Sequence, residues 1–517
     1  MNRRSLLGSL LALAASPALA ALARNAFAPA EPFSFEALKV RAAMLAERPF
    51  AQRPKVAPEI VGRIFYDDHG AIRSVPERAL FRGEAFEVTP FHLGQFFPRP
   101  VRLHVVSGGQ ARELVYDRRM FRMPADSPAQ KMPNDAGFAG LRVHEAGRGA
   151  EDGDWLAFLG ASYFRASGDL SQYGISARGI AINSGGPGTE EFPEFTEFWI
   201  EAAQNGRGPT VWALLDGPSV SGAFRFETQR APETLTDVEA ALFFRRSVAR
   251  LGIAPLTSMF WYGEGEREPT YDWRPEVHDS DGLQIETGRG DHLWRPLDNP
   301  RHLALSAFSD ENPKGFGLMQ RDRNGDHYLS QVFFERRPSL WVEPRGDWGR
   351  GSVQLVEIPT SGEFMDNVVA FWTPERAPEA GERLDVSYRL RWCEDWFAGG
   401  GLARATATRL DMPKRDGGKL HRIFYVYFDG AGLAAPGPVE AVASASDAEV
   451  AGLSVQVPPQ GPETARRVTF NLVVDGARKE PVEISLHLTR GGARASETWL
   501  YRLEVPNDGA PEQASAG

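Results

Sequence analysis

Apolar and polar residues alternate along much of the C-terminal half of the chain, which is the pattern of strands that bury one face. Between Leu384 and Trp392 every second residue is apolar and the residues between are polar or charged. The same alternation recurs at 468–474, 482–488 and 499–505. It predicts antiparallel sheets with one packed and one solvated face. The last ~120 residues therefore match a sandwich of immunoglobulin size.

One segment near the N-terminus has helical spacing instead. After Ser34, the residues Phe35, Leu38, Ala42 and Leu45 fall on one face, and Pro49 follows. This spacing predicts a single amphipathic helix that ends before the proline. Glycine (52 residues) and proline (38 residues) together make up about 17% of the chain, against roughly 12% in ordinary proteins. This excess is expected for a chain rich in turns.

The predicted fold is therefore all-β, with a large N-terminal sandwich and a smaller sandwich after it. A polar run rich in proline and glycine, 373–382, lies between predicted strands and is typical of a linker. We predict a first domain over 34–372 and an immunoglobulin-like second domain over 383–505. The polar tail, 506–517, has the composition of a disordered segment.

The N-terminus has the features of a secretory signal. Residues 1–20 begin with Arg3 and Arg4, continue in an apolar run and end in Ala18-Leu19-Ala20, a small-x-small cleavage site. The paired arginines favour the twin-arginine type over the general secretory type. Residues 21–33 then form a leader, and no later apolar stretch reaches the ~18 residues of a membrane helix. These features predict a periplasmic protein without membrane insertion.

Charge and motif content exclude several functional classes. The formal net charge of −10 argues against a nucleic-acid partner. Cys393 is the only cysteine, so no intramolecular disulfide forms, and its neighbours supply no cation to activate the thiol. Phosphate-binding, dinucleotide-binding, zinc-protease and serine-hydrolase motifs are all absent. The ten histidines are scattered and Asp322–Asp326 fits a polar turn better than a calcium loop, so we expect neither a metal nor a cofactor.

Two compositional features point weakly to sugars. Eleven of the twelve tryptophans lie between Trp155 and Trp396, and carboxylates occur among turn residues at 277–282 and 359–367. Aromatic rings pack on the apolar faces of sugars, and charged groups bind their hydroxyls. The alternative is that the tryptophans belong to the core and the aspartates to ordinary turns.

Six segments resemble the periplasmic glucan biosynthesis proteins G and D (OpgG/OpgD, also called MdoG/MdoD). The resemblance runs from about Phe33 to Val505. It is carried by the segments FLGASYFR (158–165), QYGISARG (172–179), EEFP (190–193), GIAPLTSMF (252–260), NPKGFGL (312–318) and RPSLWVEPR (337–345). The resemblance implies a large galactose-mutarotase-like sandwich with a long cleft, followed by an immunoglobulin-like domain. It also implies action on osmoregulated periplasmic glucans, whose backbone is β-1,2-linked glucose.

The resemblance also implies two catalytic residues. Members of the family are inverting β-1,2-glucanases, and some relatives are cyclising transglycosylases. The family acid corresponds to Asp366 and the base to Asp279. An inverting hydrolase needs one protonated carboxyl and one ionised carboxylate. Burial or a neighbouring carboxylate such as Glu363 could raise the pKa of Asp366, and His278 could help to hold Asp279.

Other residues of these segments are candidates for binding glucose units. They are Glu363, Trp341, Glu343, Arg345, Tyr163, Arg165 and Tyr173. The alternative is that they are core residues or partners in ion pairs at strand edges.

This chain differs from glucanases of the D branch in one short segment. Those proteins have a longer aromatic loop at the position of residues 410–420, which here contain no aromatic residue. The loss makes a transglycosylase more credible and leaves a monomer or a homodimer open. The leading hypothesis is an endo-β-1,2-glucanase or a transglycosylase, functionally linked to the inner-membrane glucan synthase. The alternative is a non-catalytic glucan-binding protein that guides or sizes the polymer.

Overall fold

A computed structural model describes residues 26–148, 153–202, 208–230, 232–265, 272–459 and 461–505. The signal segment 1–20, the first residues of the leader and the tail 506–517 lie outside the described residues, so those predictions stay untested. Within the described residues, no helix is long and apolar enough to cross a membrane.

Among the described residues, four short α-helices interrupt an otherwise β-rich structure. They are α1 (Phe35–Ala46), α2 (Pro58–Val61), α3 (Tyr66–Gly70) and α4 (Gly325–Tyr328). Helix α1 confirms the predicted helix and buries Leu38 and Ala42. Arg245 donates to the carbonyl oxygen of Leu45 at 2.7 Å and so satisfies a backbone acceptor in the last turn of α1.

Short 3-10 turns at Pro76–Arg78, Arg118–Met120, Pro128–Lys131, Phe334–Arg336 and Ala431–Leu433 lie between the strands, which are numbered in chain order. The strands of the first 262 residues are β1 (Glu31–Pro32), β2 (Arg73–Ser74), β3 (Phe86–Phe91), β4 (Arg102–Ser107), β5 (Gln110–Glu113), β6 (Phe121–Arg122), β7 (Gly140–Glu145), β8 (Asp154–Leu159), β9 (Tyr163–Ala166), β10 (Ser176–Arg178), β11 (Ala181–Ile182), β12 (Glu194–Ala202), β13 (Pro209–Asp216), β14 (Val220–Arg230), β15 (Thr234–Phe244), β16 (Leu251–Ser258) and β17 (Phe260–Tyr262).

The later strands follow from Val277 onwards. They are β18 (Val277–His278), β19 (Gly282–Glu286), β20 (His292–Pro296), β21 (Ala304–Glu311), β22 (Gly315–Met319), β23 (Ser339–Arg345), β24 (Arg350–Glu357), β25 (Val368–Pro374), β26 (Arg383–Cys393), β27 (Arg404–Leu410), β28 (Lys414–Asp416), β29 (Lys419–Asp429), β30 (Glu440–Ala445), β31 (Glu449–Gln456), β32 (Ala465–Asp475), β33 (Val482–Arg490), β34 (Ala493–Arg494) and β35 (Thr498–Leu503).

Backbone contacts divide the chain into two units. The first contains the described residues of 26–34, 53–160 and 196–211. In it β4 pairs antiparallel with β5 and parallel with β12, and β7 pairs with β3 and β8. Trp199 of β12 stacks between Phe33 and His104, with ring centroids 5.2 and 4.8 Å away.

The second unit contains the described residues of 35–52, 161–195 and 212–505. One of its sheets has the order β14-β15-β26-β23-β22-β19-β20-β35-β33-β30, and a second has the order β21-β24-β25-β16-β10-β9. Phe164 of β9 contacts Phe226 of β14 and Trp392 of β26 across the core, with centroids 4.9 and 6.1 Å apart. The predicted all-β sandwich class is confirmed, whereas the galactose-mutarotase-like detail stays a prediction.

A smaller sandwich lies at the C-terminal end of this unit. Its five-stranded sheet has β29 between β27 and β32, and its core packs against β33 and β35. Phe424 stacks on Phe470 at 5.0 Å and meets the edge of Trp499 at 5.9 Å. Residues 410–420 form part of the β28–β29 hairpin, which turns at Gly417-Gly418, both at positive φ.

The strand at the predicted domain boundary differs from the expected arrangement. We predict that residues 383–393 open the second domain, but β26 pairs along its length with β15 and β23 of the large sheet. The run 375–382 is therefore a crossover from β25 in one sheet to β26 in the other. Period-two alternation identifies a buried face without identifying the neighbouring strands, so the pattern alone does not place β26.

Close packing at Gly315 gives a test of the core. A Cβ atom there would lie 2.2 Å from Cζ2 of Trp341 and 2.8 Å from the Val342 carbonyl oxygen. We expect Gly315→Ala to lower the free energy of unfolding by about 1–3 kcal/mol, because β22 must shift. Gly70→Ala is the control, since nothing lies within 4 Å of its Cβ position. Equal unfolding midpoints in a urea titration would contradict this packing.

Candidate functional site

The sheet of β9, β10 and β16 has one apolar and one polar face. Tyr163 pairs with Arg178 across β9 and β10, and Ser176 pairs with Thr257 across β10 and β16. Because side chains alternate, these four residues and Arg165 share the face turned away from the core. The residues that alternate with them are buried and apolar: Phe164, Ala177 and Leu256. Ser176 and Thr257 are buried, so Tyr163, Arg165 and Arg178, which are partly exposed, form the part of this face that can contact a ligand.

Contacts between neighbours fix the side chains of this face. Ser176 donates a hydrogen bond to the Tyr163 hydroxyl at 2.5 Å. The Arg165 guanidinium lies over the ring of Tyr173, 4.3 Å from its centroid. The structure thus brings together three of the predicted binding residues, Tyr163, Arg165 and Tyr173.

Asp279 lies at the end of the short strand β18. Its backbone N–H donates to the carbonyl oxygen of Met259 at 2.8 Å, which continues the pairing of β17 with β18. Its side chain is buried and forms an ion pair with Arg337. The Arg337 guanidinium lies 4.2 Å from the centroid of Phe334, so an aromatic contact also holds it.

The burial of Asp279 sets its protonation behaviour. Desolvation raises the pKa of Asp279 above its ordinary value, and the charges of Arg337, His278 and Arg165 oppose that rise. The ion pair with Arg337 therefore favours the ionised form, while burial favours the neutral form.

Asp366 lies in the loop between β24 and β25, and hydrogen bonds hold this loop in place. The loop closes where the Ile358 N–H donates to the Asn367 carbonyl oxygen at 2.8 Å. The Asn367 side chain accepts from the Phe260 N–H and donates to the Phe260 carbonyl oxygen, at 2.8 and 2.9 Å. Asn367 thereby fixes Asp366 against β17, the strand that pairs with β18.

Asp366 has a different electrostatic environment from Asp279. Desolvation raises its pKa, the negative charge of Asp279 raises it further, and Arg178, Arg165 and Thr257 oppose the rise. The residue keeps an exposed surface, so water screens part of this effect. Within the described residues Asp366 makes no ion pair, in contrast to Asp279. The pKa values of both carboxyl groups are raised, and only that of Asp279 is opposed by a directly paired cation.

Neither Glu363 nor His278 acts on the carboxyl groups of Asp366 and Asp279 in the predicted way. Glu363 is held by Arg274 through two bonds of 2.9 and 3.0 Å, and the carboxylate that raises the pKa of Asp366 is Asp279. The ring of His278 does not hold Asp279 by a hydrogen bond, because it binds Gln320 and Glu276, both at 3.1 Å. Its effect on Asp279 is one of charge.

The candidate residues on β23 lie in other contacts. Trp341 is buried in the core shared with the smaller sandwich. Glu343 accepts from Arg391 at 2.9 and 3.0 Å, and Arg345 pairs with Asp237 at 3.2 Å. The structure does not bring these three side chains into the Asp279–Asp366 pair, and their role in binding stays a prediction.

Behind Asp279 lies a buried network of ionisable side chains. Burial alone lowers the pKa of His278, but Glu276 and Asp281 outweigh it and raise that pKa to about 9. Burial, Glu276 and Asp281 raise the pKa of Glu264 to about 7. Asp281 accepts from the backbone N–H groups of residues 321 and 322. The contacts of this network thus fix the position of the turn that carries Asp279.

Part of this network has the composition of a metal site. Ligand atoms of Glu276, Asp322 and His327 lie within 4.8 Å of one another. These groups also bind one another and their neighbours: His327 bonds to Asp322, and Glu276 bonds to His278. The Asn324 side chain accepts from the Asp326 N–H at 3.1 Å and caps α4, in keeping with the predicted polar turn.

Three residues of the site are missing from the sequence-based candidates: Arg178, Thr257 and Arg337. All three lie inside segments that carry the family resemblance, which was the available signal. Their contribution depends on strand register and on contacts between distant segments, and local pattern does not reveal either.

Comparisons with known proteins agree on one family. The family model described as periplasmic glucan biosynthesis protein, MdoG, matches residues 33–503. Glucans biosynthesis protein D 2 of Ralstonia nicotianae is 46% identical over 515 residues, covering 96% of each chain. Glucans biosynthesis protein D of Stenotrophomonas maltophilia is 44% identical over 494 residues, covering 93% of this chain and 92% of that protein. The protein of the same name from Xanthomonas campestris pv. campestris is 42% identical over 489 residues, covering 92% and 91%.

The buried network predicts a pH-dependent stability. The pKa of Glu264 is about 7 in the folded chain and about 4.5 as a free side chain, so the folded chain binds more protons between these values. The contribution of Glu264 to stability therefore falls as pH rises through this window. Relative to Glu264→Gln, we expect the parent to lose on the order of 1–3 kcal/mol between pH 4.5 and 8.

Urea unfolding at both pH values measures this loss. The exposed Glu449→Gln is the control and is expected to follow the parent at both. A constant difference in unfolding free energy between the parent and Glu264→Gln would contradict the prediction.

Proposed function

The chain belongs to the MdoG family of periplasmic glucan biosynthesis proteins, and we propose that it acts in the periplasm on the β-1,2-linked backbone of osmoregulated glucans. The reaction is that of an inverting endo-β-1,2-glucanase or of a cyclising transglycosylase. The observation that carries the proposal is the pair Asp366 and Asp279, which interact electrostatically beside a polar sheet face.

In this proposal Asp366 is the general acid. It donates its proton to the glycosidic oxygen as the bond between that oxygen and the anomeric carbon breaks. A group with an ordinary aspartate pKa would be ionised at neutral pH and could not donate. Desolvation and the charge of Asp279 both act in the required direction.

Asp279 is the general base of the same step. It receives a proton from the attacking water, directly or through a hydroxyl of the substrate, while the oxygen of that water bonds to the anomeric carbon from the opposite face. If a hydroxyl of the glucan attacks the anomeric carbon instead of water, the same two residues catalyse the closure of a glucan ring. The ion pair with Arg337 opposes the rise in the pKa of Asp279 and so favours the ionised form that a base needs.

The polar sheet face supplies binding groups. Arg165 and Arg178 offer guanidinium donors, and the Tyr163 hydroxyl adds a polar contact for glucose hydroxyls, whereas Thr257 is buried. Both arginines also oppose the rise in the pKa of Asp366, so their charges limit how far that pKa shifts.

Product analysis with linear β-1,2-glucan tests the two roles. We expect the parent to release shorter chains, or rings that lack one water. Asp366→Asn and Asp279→Asn each lose about 10²–10⁴ in rate, because general acid or base catalysis is removed. Asp416→Asn, an exposed aspartate of β28, is the matched control and retains the parent rate. An unchanged polymer that still binds the parent would contradict the enzyme and favour the glucan-binding alternative.

The pH profile of the reaction tests the role of Arg337. In Arg337→Gln the burial of Asp279 is no longer opposed by this cation, so the pKa of Asp279 rises. Since the base must be ionised, the acid limb of the kcat/KM profile moves to higher pH and the plateau falls by about tenfold or more. Arg350→Gln, which removes an exposed cation of β24, is the control. An acid limb at the parent pH would contradict the assignment.

A further inference from the structure

Two loops beside the candidate site expose aromatic side chains to an unusual degree. Phe364, two residues before Asp366, is 95% exposed, and Trp273 is 69% exposed. Exposing large apolar side chains costs free energy, and clusters of them mark places where a ligand or a partner binds.

A shared ion pair joins the two loops. Arg274 donates to both carboxylate oxygens of Glu363, at 2.9 and 3.0 Å, and to Asp272 at 2.9 and 2.6 Å. Trp273 precedes this arginine and Phe364 follows this glutamate. The arginine side chain is only 11% exposed, so a largely buried polar clamp carries an exposed aromatic residue on each side.

The loop of Phe364 is also anchored at its base. Thr360 donates from its N–H to Asn299 Oδ1 at 2.9 Å, and Asn299 donates back to the Thr360 carbonyl oxygen at 2.8 Å. Asn367 holds the other end of the loop against β17. Phe364 is thus presented by a segment fixed on both sides, which lowers the entropy lost on binding.

We propose that Trp273 and Phe364 form a glycan subsite, in which their rings stack on the pyranose faces of glucose units next to the bond at Asp366. This inference rests on the proposed function and adds its binding residues. Sugar rings present apolar C–H faces and peripheral hydroxyls, and here aromatic rings stand beside the carboxylates of Asp272 and Glu363. The two-residue separation of Phe364 from Asp366 favours the polymer at that residue over an unrelated protein partner.

Affinity measurements on a slowed enzyme test the subsite. In the Asp366→Asn background, calorimetry gives the Kd for linear β-1,2-glucan. We expect Trp273→Ala and Phe364→Ala each to raise the Kd by about 5- to 20-fold, since a stacking ring is removed. Trp273→Phe keeps a ring and recovers most of the affinity. Tyr66→Ala is the matched control, because Tyr66 is 79% exposed and belongs to the other unit.

The outcomes separate the subsite from the proposed function. If Asp366→Asn binds glucan and both alanine variants bind equally well, the subsite is overturned and the proposed function stands. If neither the parent nor Asp366→Asn binds glucan, the proposed function fails and the subsite with it. If the alanine variants change the mass measured by light scattering but not the Kd, the rings contact a second copy, which also overturns the subsite.

Discussion

The ion pair between Asp279 and Arg337 is the contact on which the candidate site depends. A carboxylate as buried as Asp279 stays ionised only where a cation and hydrogen bonds compensate its lost hydration. Arg337 supplies that cation, and Phe334 holds its guanidinium at 4.2 Å. Gly174 permits the approach of the 168–175 loop, since a Cβ there would lie 2.9 Å from Cβ of Arg337. Several distant segments are therefore constrained by one charge pair.

A negative charge on Asp279 acts on the carboxyl group of Asp366. A neighbouring negative charge raises the pKa of a carboxyl group, and desolvation acts in the same direction. Behind Asp279, the turn continues to Asp281, which accepts from the backbone at residues 321 and 322. Arg321 in turn pairs with Glu497 at 2.6 Å in the smaller sandwich. The smaller sandwich thus supports the turn that carries the proposed base.

The sequence predicts which segments form strands and helices better than it predicts which strands lie side by side. Alternation identifies the strands now seen as β26, β32, β33 and β35, and helical spacing identifies α1. It does not show that β26 belongs to the large sheet, because a strand of the same pattern fits either sandwich. In the site, resemblance points to Asp279 and Asp366, but the cation on Asp279 comes from 58 residues along the chain. Such a pairing depends on tertiary contacts. The exposure of the Trp273 and Phe364 rings depends on the tertiary structure in the same way.

In the proposed mechanism, Asp279 and desolvation together raise the pKa of Asp366. The most direct measurement is the pKa of the Asp366 carboxyl, followed by carbon-13 NMR of labelled aspartate and assigned by comparison with Asp366→Asn. We expect a pKa above the ordinary aspartate value, and a lower pKa in Asp279→Asn, where the neighbouring charge is gone. An ordinary pKa in the parent that Asp279→Asn leaves unchanged would contradict it.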